Sequence, residues 1–273
     1  MDKTIQDSPT IISTRQLTKR FGEFTAVNDI SFTVKEKEMF AFLGPNGAGK
    51  TTTIKMLITL LAPSDGEGNV CGFDVVKNSA DVRRVIGYVP QLISVDGTLT
   101  AYENLMLMAR LHDIPGKEQK TRVQEILEFL DLTLHARSLV RTFSGGMIRK
   151  LEIGQAMIHH PRVLFLDEPT TGLDPIAQQN VWDNLLKLRT QFGTTIFFST
   201  HNMEEAADVA DRVAIMTTGK IATIGTIREL TERTGNSNAT LEDAFIFFSG
   251  KTIDQASSFR ETRRARQTAQ RLG

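Results

Sequence analysis

An apolar run, Met39–Leu43, stops dead at a glycine-rich octapeptide, Gly44-Pro45-Asn46-Gly47-Ala48-Gly49-Lys50-Thr51, and a periodic segment begins at once. Over Thr51–Leu61 the apolar residues Ile54, Leu57, Ile58 and Leu61 recur at the i, i+3, i+4, i+7 spacing of an amphipathic helix. Strand, glycine loop and helix in that order is a narrow prescription. Glycines let the chain turn sharply and point its N–H groups inward, and a helix start adds positive potential at the same place. An anion fits there.

The octapeptide matches G-x-x-x-x-G-K-[ST], the pattern of a phosphate-binding loop. In that pattern Lys50 reaches the β- and γ-phosphates of a nucleotide and the Thr51 hydroxyl ligates Mg²⁺. Thr52 adds a hydroxyl near the α-phosphate. A glycine turn that merely contains Lys-Thr is the plain alternative, and the flanking strand and stripe argue against it.

Val163-Leu-Phe-Leu-Asp167-Glu168 sets two acids at the end of a second apolar strand. In an open α/β sheet, ligands bind at the carboxyl ends of strands. Asp167 is suited to hold Mg²⁺ through its water shell, and Glu168 to orient an attacking water. Phosphoryl transfer needs mainly positioning and charge neutralisation, so these roles match the loop. Taken alone, the pair could equally be two solvated acids before Pro169.

Elsewhere, residues 11–43 read as short strands and turns, with Thr33-Val34 strand-like. Between Leu92 and about Leu134 the pattern turns helical. Thr100-x-x-Glu103 is a capping box, Leu105, Met108 and Leu111 follow, and Pro115-Gly116 ends that helix. Val123, Ile126, Leu127 and Leu130 form a second stripe. Strands at Thr195–Ser199 and Val213–Met216, a helix around Ile176–Thr190 and a Thr217–Lys220 turn complete an alternating pattern that predicts a largely parallel sheet. Leu241–Phe248 is apolar enough for a docking helix.

Composition excludes several classes. Lys+Arg and Asp+Glu are both 32, which argues against strong nucleic-acid binding. The opening MDKTIQDSPT lacks the apolar stretch of a secretory leader, and no apolar run approaches the roughly 18–20 residues of a spanning helix. Work at a membrane would need another chain to cross it. Cys71 is the one cysteine, so no internal disulfide forms.

Phe143-Ser144-Gly145-Gly146-Met147 then identifies a family. It resembles the signature of ABC ATPases, and the likeness runs on through residues 151–175 (LEIGQAMIHHPRVLFLDEPTTGLDP), covering about 11–230 in all. The resemblance implies a RecA-like P-loop NTPase core with an antiparallel β region and an inserted helical subdomain. It implies ATP and Mg²⁺ as cofactors. The nucleotide-binding domain would span 1–230, with the helical subdomain about 92–160 and an extension, docking helix plus basic tail, at 231–273.

It also assigns roles. Phe21 stands where the family stacks an aromatic ring on adenine. Gln91 in Tyr88-Val89-Pro90-Gln91 matches the glutamine that touches Mg²⁺ and the attacking water, and then leads into the block that contacts the membrane subunit. Ser144, Gly145 and Gly146 form a second anion nest for the ATP of a facing copy, so two ATP molecules are sandwiched in a dimer. Asp174 in Gly172-Leu173-Asp174-Pro175 resembles the loop that crosses that dimer. His201 resembles the switch histidine on the γ-phosphate. The catalytic set implied is Glu168, His201, Gln91 and Lys50, with Thr51, Gln91 and Asp167 at the metal. His112, His135, His159 and His160 have no motif and read as structural or surface residues.

Ser-Gly-Gly-Met, Leu-Glu-Ile and LEDAFIFFSG look most like the drug- and glycolipid-export ATPases that serve ABC-2 type membrane subunits. The implied assembly is a homodimer, or a pair with a paralogous ATPase, peripheral on the cytoplasmic face of the membrane. An importer subunit is the nearer rival. A ribosome- or DNA-directed ABC ATPase would show paired cassettes or a long coiled-coil insertion, and a small-molecule kinase has no use for the signature. The chain departs from the family at Phe143, where Leu is usual, and at Gly154-Gln155, where Ala-Arg is commoner. Glycine inside a helix costs about 1 kcal/mol relative to alanine, and the sequence offers no reason for it. The basic end, Lys251, Arg260, Arg263, Arg264, Arg266 and Arg271 against Asp254 and Glu261, reads as a solvated terminus or a contact for anionic lipid.

Overall fold

In the computed structural model, which describes residues 8–236 and 238–250, two sheets share one centre. The basic segment 251–273 lies outside the described residues. The first sheet is antiparallel, in the order β2-β1-β4-β5, from β1 (Thr10–Phe21), β2 (Phe24–Lys35), β4 (Asp65–Val70) and β5 (Phe73–Asp74). The expected short strands are in fact a pair of 12 residues each. Bulges at Thr14/Leu17 and Leu17/Lys19, with Gln16 at φ +52, interrupt the alternation. A further register shift between Thr10 and Ile12 goes with the burial of both neighbours Ile11 and Ile12, so β1 reads as fragments.

The second sheet runs β10-β9-β3-β8-β7-β6. It comprises β3 (Met39–Leu43), β6 (Ile86–Val89), β7 (Val163–Asp167), β8 (Thr195–Thr200), β9 (Arg212–Thr217) and β10 (Lys220–Gly225). All neighbours are parallel except β10, which returns antiparallel on β9 through the Thr217–Lys220 turn. Both faces are covered, as a parallel sheet requires. Met39, Ala41 and Leu43 enter one core cluster with the helices, while Phe40 and Phe42 enter the other with β1, β2 and the helix after the loop. On that second side Phe32, Phe40, Phe42, Phe165 and Phe197 pack ring against ring at 5.1–6.1 Å.

The helices are α1 (Lys50–Leu57), α2 (Ser79–Val85), α3 (Ala101–Leu111), α4 (Gly116–Phe129), α5 (Gly145–Met157), α6 (Pro175–Phe192), α7 (Met203–Val209), α8 (Ile227–Glu232) and α9 (Leu241–Ser249). Helix α1 ends four residues before the expected Leu61, because Thr59 turns left-handed at φ +67 and the Leu61 N–H returns to the Lys55 carbonyl at 3.0 Å. The capping box of α3 forms as expected, Thr100 and Glu103 each accepting from the other's amide. Leu241, Ala244 and Phe245 of α9 are buried in the same cluster as the sheet and α3–α6. Among the described residues no helix is long and apolar enough to cross a membrane.

Gly154 now has a physical account. A Cβ there would meet Leu130 Cδ1 at 2.6 Å and Ile126 Cγ2 at 2.8 Å, so α4 rests on the bare backbone of α5. Gln155 donates to Asn104 Oδ1 of α3 at 3.2 Å. Cys71 is half-buried, and burial pushes its thiol up to about 11, which makes it inert at neutral pH.

Candidate nucleotide site

The glycine loop lies between the end of β3 and the start of α1. Gly49 sits at φ +106, and a Cβ there would come within 2.6 Å of the Ala26 carbonyl oxygen, so only glycine fits. As the N-cap of α1 it offers no side-chain acceptor, unlike Thr100, Ser144, Asp174 and Asn202 at four other helix starts. The first-turn amides of α1 thus lack a side-chain cap, beside a buried cation. Lys50 is 5 % exposed and donates from Nζ to the carbonyls of Gly44 (2.7 Å) and Pro45 (3.1 Å).

β7 delivers the two acids. Asp167 Oδ1 accepts from Thr51 Oγ1 at 3.0 Å and from Ser199 Oγ, on the adjacent strand β8, at 2.6 Å. Glu168 follows at φ +51, a left-handed backbone uncommon for a non-glycine residue. Its amide donates to the Ser199 carbonyl and hydroxyl, both at 3.1 Å, which pins the turn. Its carboxylate is the hub: Oε1 lies 3.5 Å from Lys50 Nζ, and Oε2 meets Gln91 Nε2 (3.4 Å), His201 Nδ1 (3.2 Å) and Thr171 Oγ1 (3.1 Å).

Charge balance follows from that geometry. Burial acts to raise the Glu168 carboxyl, but His201, Lys50 and the Thr171 hydroxyl together outweigh it and hold the group below its ordinary value. Burial likewise lowers Lys50, with Glu168 and Asp167 opposing. Each charge thus offsets part of the other's burial cost.

Lys50, Thr51, Gln91, Asp167, Glu168 and His201 are therefore brought together. Ser144, Gly145, Gly146 and Asp174 are not: among the described residues they make no hydrogen bond or ion pair to that group. They gather instead where α5 and α6 begin. Ser144 Oγ accepts from the Met147 amide at 3.3 Å, and Asp174 Oδ1 accepts from Ile176 (3.0 Å) and Ala177 (2.9 Å). A Cβ on Gly146 would lie 2.9 Å from Ala177 Cβ, so the two helix starts are packed together. Phe21 is 49 % exposed at the end of β1, with Lys19 Nζ 5.2 Å from its ring centroid, so it is no core residue. Gly44, Pro45, Asn46, Gly47 and Ala48 form the loop itself, and Thr52 lies in the first turn of α1.

The other histidines are held by rings. His112 and His159 stack at 3.8 Å, His135 meets Phe143 edge-on and His160 meets Phe192. Sequence reasoning missed Ser199, Thr171 and Glu205. Glu205 of α7 accepts from Thr170 (2.6 Å) and Thr200 (3.2 Å), tying the loop after Glu168 to the loop before His201. None stands in a pattern that names its role, although Ser199 and Glu205 fall within the STHNMEEA run around His201 and Thr171 within the stretch 151–175.

A family profile described as "ABC transporter" matches residues 27–171. The linearmycin resistance ATP-binding protein LnrL of Bacillus subtilis is 39 % identical over 225 residues, covering 82 % of this chain and 72 % of that one. The chain belongs to the ABC transporter family. Within the family it is an ATP-binding subunit, an α/β P-loop ATPase whose hydrolysis is coupled to transport. The Nod factor export ATP-binding protein I of Ralstonia nicotianae is 40 % identical over 223 residues, 82 % of this chain and 69 % of that one. The fold matches the dimeric ATP-binding cassette MJ0796, in a post-hydrolysis state bound to ADP and Pi, with a TM-score of 0.71 at 25 % identity, covering 79 % of this chain and 98 % of that one. ABC ATPase subunits dimerise and work with transmembrane subunits.

Proposed function

We propose that this chain hydrolyses ATP with Mg²⁺ in a head-to-tail pair, with a second copy or a paralogous ATPase, and powers export through a separate ABC-2 type membrane subunit at the cytoplasmic face. The observation that carries the chemistry is the convergence of Lys50, Gln91, Thr171 and His201 on one carboxylate beside the Thr51–Asp167 pair. In this reading Lys50 and the backbone amides of the loop beyond Pro45 hold the phosphates, and Phe21 stacks on adenine. Glu168 aligns the attacking water and takes its proton as the new P–O bond forms and ADP leaves with the bridging oxygen. His201 and Gln91 fix the γ-phosphate and the water.

The donor set suits Mg²⁺. Thr51, Asp167 and Gln91 offer hard oxygen atoms, and Mg²⁺ usually takes one or two protein groups while keeping waters and phosphate oxygens. Accordingly, no cluster of three or more His, Cys, Asp or Glu is needed, and the described residues contain none. Bound there, the ion would neutralise charge on the phosphate oxygens. Ser144, Gly145 and Gly146, at a capped helix start away from Lys50, are the half-site offered to the ATP of the partner copy, with Asp174 beside them.

The domain division follows the same reading: 1–230 as the nucleotide-binding domain, about 92–160 as its helical subdomain and 231–273 as the extension. Export rests on relatives named for drug resistance and Nod factor export. Two measurements test the whole. Glu168→Gln saturated with ATP and Mg²⁺ is expected to sediment as a dimer; a monomer, with or without membrane subunit, overturns the paired site. Inside-out vesicles carrying the complex should accumulate cargo on adding ATP, and ATP-driven release would reverse the direction to import.

A further inference from the structure

Gln91 lies in a loop with no regular structure, yet that loop is held at four points by two side chains of one helix. Arg149 Nη1 donates to the Pro90 carbonyl at 2.8 Å and Nη2 to the Gln91 carbonyl at 3.2 Å. One turn further along α5, Glu152 Oε1 accepts from the Ser94 amide at 2.6 Å and the Ser94 hydroxyl at 3.0 Å. Arg149 Nη1 and Glu152 Oε2 are 2.9 Å apart, an ion pair without the alignment of a hydrogen bond. Both side chains are nearly sealed from solvent, at 7 % and 1 % exposure. A buried ion pair is a poor source of net stability compared with apolar packing, so these charges call for another reason.

Their position supplies one. They sit on the helix whose first turn carries Ser144, Gly145 and Gly146, with Arg149 five residues beyond Ser144, about 7.5 Å along the axis. The loop they grip presents Gln91 Nε2 to Glu168. A stiff helix therefore joins the half-site facing the partner's nucleotide to a residue facing the chain's own.

We propose that Arg149 and Glu152 are positioning residues that clamp the 90–94 loop to α5, so that Ser144 and Gln91 move as one rigid piece. Engagement of the partner's ATP at Ser144 then sets Gln91 for the chain's own ATP, and each site reports on the other. This inference rests on the roles given above to Ser144 and Gln91. Coupling of this kind needs a cycle measurement rather than proximity as its warrant.

The test is steady-state ATP turnover with Mg²⁺ by the full chain as wild type, Gln91→Ala, Arg149→Ala and the double variant. If Arg149 acts through Gln91, Arg149→Ala lowers kcat about tenfold, and the double variant stays within about twofold of Gln91→Ala alone. The Hill coefficient for ATP falls to 1 in Arg149→Ala while equilibrium ATP binding is kept. A merely structural arginine gives multiplied losses in the double variant and leaves the Hill coefficient unchanged; either result overturns the clamp. Should Arg149→Ala fold poorly by its thermal midpoint, Glu152→Gln keeps the shape, and about threefold loss of kcat with the same fall in Hill coefficient is expected. Wild-type turnover unaffected by Gln91→Ala would instead strike at the roles of the site itself.

Discussion

Glu168→Gln isolates the chemistry of the hub from its shape. Glutamine keeps the length and one oxygen, but one edge becomes an N–H donor. With the oxygen left at Oε2, it still accepts from Gln91, His201 and Thr171, and the new amide faces the Lys50 ammonium across the 3.5 Å now spanned by an ion pair. Three of four contacts survive, and the loop keeps its conformation. The lost charge-assisted contact is worth about 1.5–3 kcal/mol gross, and relief of the buried carboxylate's desolvation offsets part of it. A net loss of about 1 kcal/mol, or roughly 3 °C in Tm, is expected.

Catalysis suffers more. Removing one preorganised group from a charge-stabilising site costs about 10²–10³ in kcat, equivalent to about 2.7–4 kcal/mol of barrier. The assay is phosphate release at saturating ATP, paired with equilibrium binding of ATP. Binding within about threefold of wild type and turnover down at least a hundredfold is the expected pair. Turnover within about fivefold of wild type would remove Glu168 from its role, and loss of binding would show that the carboxylate organises the loop rather than the reaction.

Three further outcomes follow from the geometry. Phe21→Ala is expected to weaken ATP binding by about 1–2 kcal/mol, in the range for an aromatic stacked on a base, with little change in Tm because the ring is half-exposed; isothermal titration checks it, and unchanged affinity takes adenine off this ring. Burial first, and the neighbouring His112 second, push His159 from 6.5 down to about 4. The unfolded chain takes up a proton below 6.5 that the folded chain refuses, so stability present above pH 6.5 is lost toward pH 4, on the order of 3 kcal/mol. Denaturant titrations across that range are expected to be flatter for His159→Gln, which keeps a donor for the Ile86 carbonyl. Gly154→Ala gains about 1 kcal/mol of helix propensity yet drives a methyl into Leu130 and Ile126, so urea unfolding is expected to show a net loss of about 1–2 kcal/mol.

What could be read from the chain was what has a short-range signature. The loop, the strand ending in Asp167-Glu168 and the Thr100 capping box each depend on residues within a few positions, and each forms where the pattern puts it. The β1–β2 pair was legible only in pieces, because its bulges break the alternation that marks a strand. The contacts of Ser199, Arg149 and Glu152 were illegible for a different reason: their partners lie 32, 58 or 59 positions away, on a neighbouring strand or in the loop around Gln91. Gly154 looked like a flaw in a helix until the side chains across from it were known.

The left-handed turn at Glu168 has a consequence for anyone seeking a hardier version of this protein. A non-glycine residue at φ +51 carries a conformational cost on the order of 1–3 kcal/mol that Asn or Gly would largely avoid. An optimiser scoring backbone comfort would therefore choose position 168 early, and would trade away the carboxylate that gathers Lys50, Gln91 and His201. Endurance and work compete for that one position, so a sturdier variant has to find its gains elsewhere in the chain.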